Sequence, residues 1–87
     1  MRAIITVIGK DTVGILAKTT NVVAKLNGNV AEVSQTILQG FFTMVMVIEI
    51  DKMDASLDEM KKLIEKELPT MDIHVMHENI FNAMHRI

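Results

Sequence analysis

Apolar residues crowd the start of the chain: Ala3-Ile4-Ile5 and Val7-Ile8 are interrupted only by Thr6, and Gly9 ends the run. So short a β-branched stretch favours a buried strand over a helix. Beyond Gly9-Lys10-Asp11-Thr12-Val13-Gly14 the period lengthens. Ile15 and Val22, like Leu16 and Val23, stand at seven-residue offsets, and Leu26 extends the stripe, which predicts an amphipathic helix. Asp11 or Thr12 is suited to cap its start by accepting from a free first-turn N–H, and Asn27-Gly28 supplies a residue that tolerates positive φ at its end. From Asn29 to Leu38 the pattern becomes two-fold, with Ala31, Val33 and Ile37 on one side and Glu32, Ser34 and Thr36 on the other, as in a half-solvated strand. Gln39-Gly40 then joins this strand to Phe41–Ile50 through a tight antiparallel hairpin. In the second strand of the hairpin Met44 through Ile48 are all apolar, so both of its faces avoid water, and the pattern does not say whether Val45 or Met46 faces the core.

Ser56-Leu57-Asp58-Glu59 has the spacing of a capping box, and Leu57, Met60, Ile64 and Leu68 follow at helical intervals until Pro69. Asp72 to His77 alternates Ile73 and Val75 with polar neighbours, a last strand. Ile80, Met84 and Ile87 then predict a short amphipathic tail helix over about residues 79–87. The order strand, helix, strand, strand, helix, strand is that of the split βαβ, ferredoxin-like α+β sandwich. Right-handed crossovers place both helices on one face of its four-stranded antiparallel sheet. The opposite face would then present Met, Val and Ile to water, which monomers seldom tolerate. The tail helix could fold over that face, or a second copy could cover it; Ile80, Phe81, Met84 and Ile87 suit a twofold homodimer.

Composition narrows the function. Eighty-seven residues allow one domain, and the absence of cysteine removes disulfides, zinc knuckles and thiol chemistry, as expected of a cytoplasmic protein. No apolar stretch reaches the length of a membrane span, and the N-terminus carries no long signal core. A net charge of −2 lacks the clustered Lys and Arg on which nucleic-acid affinity rests.

The loop Gly9-Lys10-Asp11-Thr12-Val13-Gly14-Ile15, with Ser34-Gln35-Thr36 and Phe42-Thr43-Met44, resembles the ACT domain. The resemblance covers the whole chain and is closest to the small stand-alone ACT proteins of bacteria and archaea, which share an ending like Phe81-Asn82-Ala83-Met84-His85-Arg86-Ile87. It implies a non-catalytic regulatory module, without a cofactor, that binds a small effector, usually an amino acid, at the loop between the first strand and first helix. By that resemblance Val13 and Ile15 would line the pocket, and Asn29 or the Ser34-Gln35 segment would come from the adjoining strand or the other subunit. The fused enzymes or repressor segments usual in the family are absent, so any output needs a separate partner enzyme or regulator.

The residues of the loop carry the same chemistry without the resemblance. A helix N-terminus offers unpaired N–H groups and partial positive charge to a carboxylate, Gly14 lets a ligand approach the backbone, and Asp11 could pair with the α-ammonium of the same amino acid. Thr12 belongs to the same turn. Helix capping and turn geometry alone also account for Asp11 and Gly14.

Other constellations fall away. Gly9 and Gly14 are spaced like part of a phosphate-binding loop, but Ile15-Leu16 stand where Lys and Ser or Thr are needed. His74 and His77 point to opposite faces of a strand, which argues against a metal site with Glu78 and His85. His85-Arg86 could face the negative end of the tail helix. The eight methionines suit core and interface packing. Phe41 and Phe42, being adjacent, cannot form a base-stacking pair. The expected function is therefore effector binding by a homodimer; the alternative is an assembly module that docks on a partner and binds no small ligand.

Overall fold

The computed structural model describes residues 1–84. Its elements are β1 (Arg2–Lys10), α1 (Ile15–Lys25), β2 (Asn29–Leu38), β3 (Phe41–Glu49), α2 (Leu57–Glu67), β4 (Asp72–His77) and α3 (Glu78–Met84). The sheet is antiparallel in the order β2-β3-β1-β4, the ferredoxin-like α+β arrangement expected from the pattern.

Register assigns the two faces. Ala3, Ile5 and Val7 on β1 stand opposite Ile48, Met46 and Met44 on β3. These six side chains join Ile15, Val22 and Val23 of α1 and Met60 and Ile64 of α2 in one buried cluster, so both helices lie on this side. The even-numbered residues of β3 therefore face the core, and Val45 and Val47 face away. Met44, Met46, Met60 and Met71 are core fillers, as expected of flexible thioethers, while Met84 is exposed. Thr19, buried on the inner face of α1, satisfies its hydroxyl by donating to the Ile15 carbonyl at 2.8 Å.

The capping box of α2 is complete. The Ser56 hydroxyl accepts from the Glu59 N–H at 3.1 Å, and the Glu59 carboxylate accepts from the Ser56 N–H at 3.4 Å. Gln39 (φ 52°) and Gly40 (φ 81°) form the two-residue hairpin turn, and Asn27 (φ 63°) ends α1 as its side chain permits.

The expectations for β1 and β2 need correction. β1 does not stop at Gly9 but runs to Lys10. Gly9 stays in the strand because the Met71 sulfur lies where a side chain would be, 2.8 Å from the position a Cβ would take. β2 is not a simple two-fold strand. The register slips between Val30 and Glu32, so the bulge at Ala31 puts Val30 and Val33 on the helix side, opposite Ile48 and Met46. One extra residue inverts the alternation, and Ala31 does not share a face with Val33 as the pattern implied. β2 is also an edge strand, exposed along its whole length except at Val30.

The face away from α1 and α2 is not left bare. α3 packs across β1 and β4 on that side, and Ile4, which faces away from the main core, is only 2% exposed. Arg2 fastens the start of this helix through a 2.6 Å ion pair with Glu78. The tail helix begins one residue earlier than the pattern predicted and is described to Met84; Ile87 and the His85-Arg86 pair lie outside the described residues. The β2–β3 half of the face retains exposed Leu38 and Phe41.

Candidate functional site

The β1–α1 loop is built by two backbone constraints. The Asp11 N–H donates to the Gly40 carbonyl at 2.8 Å, tying the loop to the β2–β3 hairpin. Gly14 then takes φ 85° and ψ 14°, a left-handed conformation that turns the chain into α1 at Ile15. Neither Asp11 nor Thr12 caps the helix. Gly14 occupies the N-cap position and no side chain bonds to the first turn. The expected cap fails because the turn requires positive φ immediately before the helix, which carries Asp11 and Thr12 too far upstream to reach its N–H groups. The first-turn amides of α1 therefore keep their donors without a side-chain partner, at the positive end of the helix dipole.

Two charged side chains belong to the same segment. Among the described residues, no hydrogen bond or ion pair engages the Asp11 carboxylate. Lys18, one turn into α1, folds back so that its Cε would lie 3.8 Å from a Cβ on Gly14. Lys18 was not singled out from the sequence; its position four residues beyond the glycine is the signal that could have found it. The segment thus has an uncapped helix end with the Lys18 chain close to Gly14 and an exposed Asp11 upstream.

The other site residues are distributed unevenly. Thr12 is exposed and Val13 is 95% exposed at the loop tip, whereas Ile15 is 2% exposed and belongs to the core. Asn29 sits opposite Glu49, at the end of the sheet remote from the Lys10–Phe41 pair where the loop begins, and its amide donates to the Glu49 carboxylate at 2.7 Å. Ser34 faces away from the helices opposite Val45, and Gln35 faces the helix side opposite Met44. Both lie on β2, which β3 separates from β1. One chain alone therefore assembles Asp11 to Gly14 with Lys18, and leaves Asn29 outside the group.

His74 and His77 point to opposite faces of β4, standing opposite Thr6 and Ala3. His74 Nε2 lies 3.3 Å from an Asp72 carboxylate oxygen. His85 lies outside the described residues. Among the described residues no helix is long and apolar enough to cross a membrane.

With this geometry in hand, comparison with known proteins is informative. The family model of the ACT domain matches residues 2–78. A UPF0237 protein of Listeria innocua is 47% identical over 89 residues, covering 100% of both chains. A UPF0237 protein of the archaeon Methanosarcina acetivorans is 44% identical, covering 99% of this chain and 96% of that one. Among solved structures, an ACT domain protein from Streptococcus pneumoniae superimposes with a TM-score of 0.76 at 34% identity, covering 98% of each chain. Domains of this kind are in general regulatory and bind small molecules. The chain belongs to the ACT domain family.

Proposed function

We propose that the protein is an effector-binding regulatory module that takes an amino acid or a related metabolite at the β1–α1 loop, as a homodimer, and acts on a separate partner enzyme or regulator. The observation that carries this reading is the uncapped start of α1, with Gly14 at φ 85°, the Lys18 chain close to it and an exposed Asp11 in the loop that leads to it. The carboxylate of an amino acid would take the first-turn amides and Lys18, and its ammonium would take Asp11. Thr12 and Val13 would border the ligand. Ile15 anchors the helix from within the core and contributes no exposed surface.

Exposed apolar residues support the dimer. Val13 at the loop tip and Leu38 and Phe41 at the hairpin project into solvent on one end of the sheet, and burial of such groups is what a self-associating surface gains. Ser34 and Gln35 on the exposed β2 strand are accessible to a second copy. The proposal places the protein in the cytoplasm and gives it no catalytic group: the loop offers binding charges but no base paired with a nucleophile.

Thermal unfolding against a panel of amino acids tests the reading. A ligand at 100 times its dissociation constant adds about 2.7 kcal/mol to stability, a shift of roughly ten degrees or more for a domain of this size. The shift should vanish in Asp11→Ala. Silence across the panel at millimolar concentrations would overturn effector binding and favour an assembly module. A monomer mass by light scattering would overturn the dimer.

A further inference from the structure

α3 does not seal the sheet face it covers. Between the helix and the strands runs a cleft of about 350 Å³, within the size range of small-molecule sites. Its walls are apolar, with Val45 and Met76 from the sheet and Phe81 and Met84 from α3. Its floor is polar. Thr6 and His74 stand directly opposite one another on β1 and β4, while Thr43 lies farther along β3 beside Ile8, which also lines the cleft. Among the described residues, no hydrogen bond engages the hydroxyl of either threonine. Thr6 and His74 thus form an adjacent polar pair beneath an apolar roof, on the opposite side of the sheet from α1.

The floor also specifies the head group. The Asp72 carboxylate lies 3.3 Å from His74 Nε2 and so takes up one side of the ring. Asp72 lies on the same sheet face, opposite Ile8, so it repels an anionic head group.

We infer that the cleft between α3 and the sheet is a second ligand site, separate from the β1–α1 loop, for a small, neutral, mostly apolar molecule carrying one hydrogen-bonding group. The hydrogen-bonding group of the ligand takes Thr6 or His74, and the apolar body lies between Val45, Met76 and the underside of α3. Binding there fixes α3 against the sheet, because the ligand touches both.

The methionines provide the test. With methyl-labelled methionine and indole as the probe, the Met76 and Met84 signals should shift saturably while those of Met44 and Met60 in the main core stay in place. Val45→Phe, which fills the slot, should abolish the effect. Thr6→Val, which keeps shape and removes one hydroxyl, should weaken binding by up to about tenfold. Asp11→Ala should leave it intact, so that failure of the loop site and failure of the cleft are told apart. Unmoved Met44 and Met60 signals certify the fold of each variant. Four results would each overturn the inference: no saturable shift with indole, a shift that survives Val45→Phe, benzoate binding as tightly as indole, or Met84 signals that follow protein concentration alone because a second copy occupies the cleft.

Discussion

Met46 and Val45 are neighbours on β3 whose apolar character is alike, and the register separates them sharply. Met46 is 0% exposed, opposite Ile5 and between the helices and the sheet, whereas Val45 is half-buried on the far face. Met46→Ala removes a fully buried side chain and leaves a cavity among close-packed neighbours, at a cost of about 2–5 kcal/mol. Val45→Ala removes two methyl groups from a half-buried position, about 1 kcal/mol or less at the usual ~0.8 kcal/mol per buried carbon. In a domain of this size each kcal/mol lowers Tm by roughly 4–8 °C, so Met46→Ala should melt at least roughly ten degrees lower and Val45→Ala only a few. Urea titration gives the same comparison as a change in midpoint, with an unchanged slope certifying two-state unfolding. Equal losses at all protein concentrations would refute the assignment of faces. A Val45→Ala loss that grows on dilution would instead place that residue in an interface between copies.

Gly14→Ala forces an L side chain into the left-handed region and should cost about 1–2 kcal/mol by thermal melt, even though only the flexible Lys18 chain is near the added methyl. Ser56→Ala breaks the capping box of α2 and should cost about 1 kcal/mol in urea titration. Asp11→Ala, having no cap to remove, should change stability by less than about 0.5 kcal/mol; a loss of a full cap's worth would contradict the geometry of α1. Arg2→Ala breaks a partly exposed ion pair, so its global cost should stay below about 1 kcal/mol, while amide exchange in α3 accelerates and the effect shrinks as salt is added.

Much of this architecture was legible because local pattern and tertiary burial agree. The Ser56–Glu59 box, the Gln39-Gly40 turn and the stripe from Met60 to Leu68 each follow from interactions within a few residues. What escaped was decided by more distant partners. The bulge at Ala31 leaves no mark in composition, since Val30 and Val33 read equally well on either face until the pairing with β3 is known. The same holds for Val45 and Met46, whose faces depend on which side the helices pack. Gly9 resembles a strand terminator until Met71 is placed against it. At the candidate site, Asp11 looked like a cap because its residue type is common at helix starts; the positive φ of Gly14 at the N-cap position rules that out. Lys18 went unnoticed because its part depends on where a flexible chain folds back, not on its identity.

The bond from the Asp11 amide to the Gly40 carbonyl follows directly on the Lys10–Phe41 pair, so the ladder between β1 and β3 runs on by one rung into the two turns that flank it. The start of the loop that leads to α1 is thereby held by the same interstrand pairing as the sheet, and the solvent-exchange rate of one amide, that of Asp11, reports whether this last rung is closed.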